Sequence, residues 1–281
     1  MKSVISIILM LLFQASVYAS EIIEFGIATS IKSEVMKENR PYMVYLPPSY
    51  EKNSNTYPVI YLLDGDIHRF KGFVGVLESL SSQTLDNQVK EAIVVAIPNT
   101  NRSRDLTPSI LKEWTFRGRV LDTFDQTGNA LNFTTFLKTE LIPHIEKTYR
   151  ASEKRVLVGE SFGGLFASNV IVFTPTMFSD YLIIDPTALW DNDYLNRAYL
   201  ANAKNTKLDI NVFFAFANNS HLGDIGLTNY AWGSAFATSI IKHSNDIAKQ
   251  RYFESETHGT VALLAWYNGL KTLLPSEKNE H

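Results

Sequence analysis

One short segment constrains the fold of this chain more than any other. The apolar residues 156–158 lead into Gly159-Glu-Ser161-Phe-Gly163, and an apolar stretch with helical spacing follows. This pattern predicts a buried strand, a very tight turn and a helix. Glycine is expected at Gly159 and Gly163 because side chains two residues to either side of the serine would collide across the turn. Such a turn holds the Ser161 hydroxyl at the carboxyl edge of a sheet.

Strand and helix patterns alternate along most of the chain. We predict strands at residues 22–30, 41–46, 57–63, 92–98, 155–158, 181–184, 212–217 and 251–253, and helices at residues 131–149, 162–173, 230–247 and 261–274. Residues 99–129 are rich in charge, proline and threonine, and we expect a long excursion with little regular structure. The alternation predicts an α/β fold: a mostly parallel central sheet that begins with antiparallel N-terminal strands and carries helices on both faces.

Composition excludes several classes of protein. The 281 residues are 45% apolar and 20% charged, which is ordinary for a folded domain. The net charge of −3 gives no basic excess, so binding to nucleic acid through phosphate contacts is not expected. The absence of cysteine excludes disulfides, a thiol nucleophile and thiolate-ligated metals. No histidine or carboxylate spacing indicates a metal site, and no cofactor is implied.

The first residues are typical of a secretory signal peptide. Lys2 precedes a nearly unbroken apolar run over residues 4–13, and Val17 and Ala19 supply small residues before a cleavage site. The alternative is a membrane anchor, but the run is far shorter than the roughly 20 residues that span a bilayer. We predict cleavage after Ala19, a single domain over residues 20–281, no membrane insertion of the mature chain, and a periplasmic or secreted location.

Ser161 is the candidate nucleophile. A serine on such a turn is exposed, and the next backbone N–H, that of Phe162, points to the place where an oxyanion would form. The alternative is a purely structural strand-to-helix turn. A dinucleotide-binding turn needs the pattern G-x-G-x-x-G, which Glu160 and Ser161 do not supply.

Around this serine the chain resembles the esterase D-like family of α/β hydrolases, which includes siderophore esterases, S-formylglutathione hydrolases and mycolyltransferases. The resemblance is carried by four segments: residues 136–167 with Gly159-Glu-Ser-Phe-Gly-Gly-Leu-Phe-Ala167, then Tyr61-Leu-Leu-Asp-Gly-Asp66, Arg102-Ser-Arg-Asp-Leu-Thr-Pro108 and Thr257-His-Gly-Thr-Val261. It implies an α/β-hydrolase fold and a serine hydrolase. It does not specify the substrate.

His258 is the preferred general base. In α/β hydrolases the histidine follows the serine and the acid in the chain. His258 lies on a Thr-His-Gly turn between the last predicted strand and the last helix, where the family's histidine loop lies. His221 is the alternative, in the loop where the acid is expected.

The third catalytic group has several candidates. Asp224 is the carboxylate of the loop after the strand at 212–217, and it is the first choice. Asp185 ends the preceding strand, at a position where the family usually has a small polar residue. Glu254 and Glu256 precede His258 closely. Some members of the family manage with a serine–histidine pair, so the acid can also be absent.

Further residues are candidates for the oxyanion hole and for substrate binding. Gly65 and Asp66 are candidates for the second oxyanion donor, since glycine would let a substrate carbonyl approach. Arg102 and Arg104 resemble a family stretch that runs beside the active site. A guanidinium there suits an anionic acyl group, although an arginine–aspartate pair that holds the excursion is the alternative. Trp190 and Trp232, with Trp114 and Phe116, are candidates for an apolar wall.

These residues predict an exported serine esterase that cleaves a small-molecule carboxylic ester of the siderophore, short-acyl or aromatic type. Two alternatives use the same residues differently: an acyltransferase, and a binding protein that kept the fold without catalysis. Fold alone does not decide between them.

Overall fold

A computed structural model describes residues 25–82, 87–202 and 207–276; the predicted signal peptide lies outside them. The strands are β1 (Ile27–Ser33), β2 (Glu38–Tyr45), β3 (Tyr57–Leu63), β4 (Ile93–Ile97), β5 (Glu113–Phe116), β6 (Arg119–Thr123), β7 (Ala151–Glu160), β8 (Asp180–Ile184), β9 (Asn211–Ala217) and β10 (Lys249–Phe253). The helices are α1 (Ile67–Ser81), α2 (Arg102–Leu106), α3 (Ala130–Phe136), α4 (Ile142–Thr148), α5 (Phe162–Phe173), α6 (Tyr194–Asn202), α7 (Asp224–Ile241) and α8 (Val261–Leu273). A π-helical turn at Leu137–Leu141 joins α3 to α4.

One mixed sheet organises the described residues. Its strand order is β1-β2-β4-β3-β7-β8-β9-β10. β1 pairs antiparallel with β2, and β2 pairs antiparallel with β4. The pairs from β4 through β3, β7, β8 and β9 to β10 are parallel. The carboxyl ends of β3, β7, β8 and β9 therefore meet at one edge, and this edge is where ligands bind in sheets of this kind.

The central strands are buried on both faces because their side chains alternate between two cores. Val59 and Tyr61 of β3 belong to the core that includes Leu165 of α5. Ile60 of β3 belongs to the opposite core, which includes Phe73 of α1 and Trp266 and Leu270 of α8. Helices thus cover both faces, and the predicted α/β architecture with antiparallel N-terminal strands is confirmed.

Outside residues 99–129, the sequence analysis missed two helices, α1 and α6. In α1, Phe70, Phe73, Val74 and Leu77 are buried at helical spacing. Asp66 caps this helix, since its Oδ1 accepts the N–H groups of His68 and Arg69 at 2.8 and 3.0 Å. The signal for α1 was therefore present. In α6, Leu195 is the buried residue, so its sequence carries almost no apolar periodicity.

The excursion over residues 99–129 has more regular structure than predicted. It contains α2 and an antiparallel hairpin formed by β5 and β6. The hairpin turns at Arg117 and Gly118, whose φ angles are +50° and +76°. Two successive positive φ angles are typical of a tight hairpin turn, and they match the twist of the flanking strands.

Candidate active site

Ser161 occupies a strained turn between β7 and α5. Its φ and ψ are +58° and −119°, outside the regions that residues with a side chain ordinarily adopt. The neighbouring structure holds this conformation through the serine's backbone. The Ser161 N–H donates to the Ile184 carbonyl at 3.0 Å, and the Ser161 carbonyl accepts the N–H groups of Leu165 and Thr187 at 2.8 and 3.1 Å. Strain held by its surroundings is characteristic of functional sites.

The two predicted glycines differ in how strictly the turn needs them. A Cβ on Gly159 would lie 2.2 Å from the Gly163 carbonyl oxygen, a distance that no side chain can occupy. A Cβ on Gly163 would lie 3.1 Å from Asp64 Oδ2, which is tight but involves the end of a side chain. The collision predicted at Gly159 is confirmed, and the one predicted at Gly163 is milder than expected.

Replacing Gly159 with alanine is expected to lower the free energy of unfolding by at least about 3 kcal/mol, because the turn must open to admit the methyl group. Urea unfolding of the variant would measure this change. Gly75→Ala is the matched control, since nothing lies within 4 Å of an added Cβ there and α1 would gain a better helix former. Equal stability of Gly159→Ala and the wild type would contradict the described turn.

His258 is held by Asp185. The two residues are 73 positions apart in the chain, yet His258 Nδ1 lies 2.5 Å from Asp185 Oδ2. The His258 backbone N–H donates to Asn219 Oδ1 at 2.9 Å. Asn219 in turn donates to Asp185 Oδ2 at 2.8 Å, and the Ala217 N–H donates to Asp185 Oδ1 at 3.3 Å. Asp185 is 1% exposed, so a carboxylate that is almost completely buried fixes the imidazole in place.

The pKa of His258 is raised above its ordinary value. The hydrogen bond to the Asp185 carboxylate is the main cause, and the negative charges of Asp185 and Glu160 add to it. Burial and the nearby Arg102 act in the opposite direction. A histidine with a raised pKa is a stronger base once it is neutral, which suits proton abstraction from a hydroxyl.

The structure does not place Asp224 beside the histidine, contrary to our prediction. Asp224 begins α7, is 69% exposed at its side chain, and pairs with Arg117 at the hairpin turn. The alternative Asp185 occupies the predicted position instead, because β8 ends next to β9 at the edge that faces His258. His221 is exposed on a short turn at Ser220–Leu222.

Glu254 and Glu256 reach this region through their backbones. The carbonyl of Glu254 accepts the side-chain amide of Asn218 at 3.0 Å, and that of Glu256 accepts the Asn218 N–H at 2.7 Å. Both contacts join the turn before His258 to the end of β9. These glutamates therefore shape the histidine loop, while Asp185 orients the imidazole.

Ser161 and His258 open into the same cavity, which has a volume of about 340 Å³. Thr187 also lines it, and its Oγ1 lies 3.3 Å from Ser161 Oγ. The sequence analysis did not identify Thr187, although Thr187 lies two residues after Asp185, which was a candidate acid. Asp185, Phe162 and Arg102 complete the wall near the serine.

The backbone N–H groups of the three predicted oxyanion donors differ in their hydrogen-bond partners. Phe162 is the first residue of α5, so its N–H has no partner four residues earlier within the helix. The Gly65 N–H donates to the Ile97 carbonyl at 3.0 Å, and the Asp66 N–H donates to the Asp64 carbonyl at 2.9 Å.

Packing leaves no room for a side chain at position 65. A Cβ on Gly65 would lie 2.6 Å from Ile97 N and 2.8 Å from Ala96 Cβ. Gly65 therefore lets β3 pack closely against β4.

The two predicted substrate-binding arginines have different surroundings. Arg102 lines the cavity, lies 5.1 Å from the centre of the Phe162 ring, and donates from Nε and Nη2 to the two oxygens of Asp64 at 2.7 and 2.9 Å. Arg104 instead pairs with Asp105 at 2.6 Å and Glu38 at 2.7 Å. The structure thus contradicts substrate binding by Arg104, which ties the excursion to β2.

The predicted tryptophans are mostly structural. Trp190 is fully buried and donates from Nε1 to Ser109 Oγ at 2.9 Å, so it cannot line a substrate pocket. Trp232 packs against Phe116 of β5 with ring centres 6.3 Å apart and is not among the residues that line the cavity. Trp114 does line the cavity, and it packs against Phe162.

Within residues 25–82, 87–202 and 207–276 there is no group of three or more histidines and carboxylates placed to hold a metal ion. The same residues contain no helix that is both long and apolar enough to cross a membrane.

Comparison with known proteins places this geometry in a family. The family model described as "Putative esterase" matches residues 33–245. The crystal structure of an IroE-like serine hydrolase from Shewanella oneidensis is 30% identical, with a TM-score of 0.79 over 89% of this chain and 80% of that one.

Two curated proteins of Bacillus subtilis are also similar. Ferri-bacillibactin esterase BesA is 28% identical over 193 residues, which cover 63% of this chain and 65% of BesA. The uncharacterised YbbA is 29% identical over 164 residues, which cover 57% of this chain and 62% of YbbA. The chain thus spans a little under two thirds of the length of these relatives. The family model covers well over half of the chain. The chain, which has an α/β-hydrolase fold, therefore belongs to the putative esterase family.

Proposed function

We propose that this protein hydrolyses a carboxylic ester through an acyl-enzyme on Ser161. One observation carries the proposal: a serine on a strained strand-to-helix turn shares a cavity with a histidine whose Nδ1 is bonded to a buried carboxylate. This is the combination of nucleophile, base and orienting acid that serine hydrolases use on several folds.

The proposed first half-reaction starts at His258. Because Nδ1 donates to Asp185, the neutral ring presents Nε2 as an acceptor. Nε2 takes the Ser161 proton as Oγ attacks the ester carbonyl. The resulting tetrahedral oxyanion collapses, the C–O bond of the ester breaks, and His258 returns the proton to the departing alcohol. The imidazolium formed in between is stabilised by the Asp185 carboxylate.

The second half-reaction repeats these steps with water. His258 removes a proton from a water molecule that attacks the acyl carbonyl, and Ser161 leaves with the proton restored. The net reaction consumes one ester and one water and yields one acid and one alcohol.

The oxyanion is proposed to be held by the Phe162 N–H and by the Asp66 N–H. The Gly65 N–H is the weaker candidate because its bond to Ile97 continues the β3–β4 pairing. The Asp66 N–H donates to a carbonyl only two residues earlier, a cramped arrangement that a better acceptor can displace.

Relatives suggest classes of ester to test. BesA is named a ferri-bacillibactin esterase, and we propose siderophore, short-acyl and aromatic esters as candidate substrates of this chain. The N-terminal pattern of residues 1–19 supports export after cleavage at Ala19, to a periplasm or to the outside of the cell.

The proposal is tested with the mature protein, residues 20–281, on p-nitrophenyl acetate, butyrate and octanoate, together with labelling by a fluorophosphonate. We expect turnover of at least one ester and labelling on Ser161, and the profile of chain lengths would size the acyl pocket. Labelling should disappear in His258→Ala, since the serine would lose its base. Absence of both turnover and labelling would overturn the esterase assignment in favour of a binding protein.

A further inference from the structure

The β5–β6 hairpin contributes two different side chains to the cavity that holds Ser161. Trp114 of β5 and Asp122 of β6 are direct cross-strand partners, and both line the cavity. Residues opposite one another in an antiparallel pair project on the same face of the sheet. An indole and a carboxylate are therefore presented side by side to whatever enters the cavity.

Four contacts hold the hairpin in position. Trp114 Nε1 donates to the Leu189 carbonyl at 3.3 Å, and its ring lies 6.0 Å from that of Phe162, the residue after the nucleophile. Phe116 packs against Trp232, and Arg117 pairs with Asp224 of α7. The hairpin is thus fastened at its base and at its turn, next to the proposed catalytic serine.

The charges around the cavity favour a cation over an anion. Arg102 is the arginine that lines the cavity. Its Nε and Nη2 N–H groups already donate hydrogen bonds to Asp64. Asp64 also accepts from the Asn99 amide at 2.5 Å. Because the Asp64 carboxylate already offsets the charge of Arg102 and takes two of its five N–H groups, the attraction left for an anionic substrate is reduced.

The two carboxylates that line the cavity differ in availability. Asp185 is buried and bonded to His258. Asp122 is exposed, and the hydrogen bond that the structure gives its side chain is one from the N–H of the next residue, Thr123, at 2.8 Å. A carboxylate can accept about four hydrogen bonds, so Asp122 keeps most of its capacity for a ligand.

We propose that Trp114 and Asp122 form a subsite for a positively charged group, an ammonium or quaternary ammonium, carried by the ester substrate. The carboxylate supplies the opposite charge and the indole face supplies cation–π attraction, which is strongest for tryptophan. This inference rests on the proposed esterase function and specifies the class of ester: cationic, in preference to neutral or anionic.

The test compares esters that have the same shape and different charge. The acyl pair is p-nitrophenyl 4-(trimethylammonio)butyrate and its neutral carbon isostere, p-nitrophenyl 5,5-dimethylhexanoate. The alcohol pair is butyrylcholine and 3,3-dimethylbutyl butyrate. The p-nitrophenyl monoester of glutaric acid is the anionic member. We expect kcat/KM to favour the cationic member of at least one pair by about tenfold, and the anionic ester to be the poorest.

Asp122→Asn is the decisive variant because it removes the charge and keeps the shape and the acceptor for the Thr123 N–H. We expect it to lower kcat/KM for the cationic ester about threefold more than kcat/KM for the neutral isostere. Asp125→Asn is the matched control, an exposed aspartate of the same excursion that does not line the cavity. The wild-type preference should also shrink between 0.02 and 0.5 M salt, because Asp122 is open to screening.

The outcomes separate the two proposals. Hydrolysis of the neutral isosteres with no cationic preference, or an equal effect of Asp122→Asn and Asp125→Asn, overturns the subsite alone. No turnover of any ester and no labelling of Ser161 overturns the esterase function and the subsite with it.

Discussion

Replacing Ser161 with alanine is expected to reduce kcat for ester hydrolysis by at least about 10⁴-fold, because the variant lacks the oxygen that forms the acyl-enzyme. The fold should be preserved, since alanine has a Cβ at the same position and the backbone bonds of the turn do not involve the hydroxyl. Steady-state kinetics on the best p-nitrophenyl ester and urea unfolding of the same sample would measure both properties.

Ser168→Ala is the matched control for this experiment. Ser168 lies on the same helix, α5, and its buried hydroxyl has no hydrogen-bond partner among the described residues. Its removal should leave activity unchanged and stability equal or slightly higher. Activity of Ser161→Ala within tenfold of the wild type would refute covalent catalysis at this serine.

Replacing Asp185 with asparagine is expected to reduce kcat/KM by about 10³- to 10⁴-fold, because an amide neither stabilises the imidazolium nor fixes the productive tautomer. Asp224→Asn should change kcat/KM by less than about twofold, since its carboxylate is exposed and paired with Arg117. The pair of variants decides between the carboxylate that the sequence favoured and the one that the structure places beside His258.

The pH profile provides a second readout of the same substitution. His258 must be neutral to act as a base, so kcat/KM should fall as the pH drops through its raised pKa. Asp185→Asn removes the largest contribution that raises this pKa, and the acidic limb of the profile should therefore move to lower pH while the plateau falls. Asp224→Asn should leave both unchanged. A limb that stays in place in Asp185→Asn would contradict the assigned pair.

Local patterns predicted much of the sheet. Continuous apolar runs correctly indicated β3, β4, β8 and β9 because parallel strands are buried on both faces. The β5–β6 hairpin was missed because its strands are short and largely exposed. Such strands show neither a regular alternation of apolar and polar residues nor a continuous apolar run. It is nevertheless the element that adds Trp114 and Asp122 to the cavity.

Side-chain roles in loops were the least predictable part of the site. Arg102 and Arg104 stand two residues apart in one motif, yet one lines the cavity and the other ties α2 to β2 through Glu38. On a single turn of helix, neighbouring residues point in different directions, so their partners depend on what packs against each side. Trp190 was likewise predicted to line the substrate pocket, and its side chain is buried in the core.

The sequence by itself determined the tight turn that carries Ser161. The reason is local: residues 159–163 contact one another, and the steric need for Gly159 is contained in five consecutive positions. Tertiary structure alone decided which carboxylate meets His258. Asp185, Asn219 and His258 come from three separate loops, and they meet because β8 and β9 lie side by side in the sheet and place their carboxyl ends at one edge.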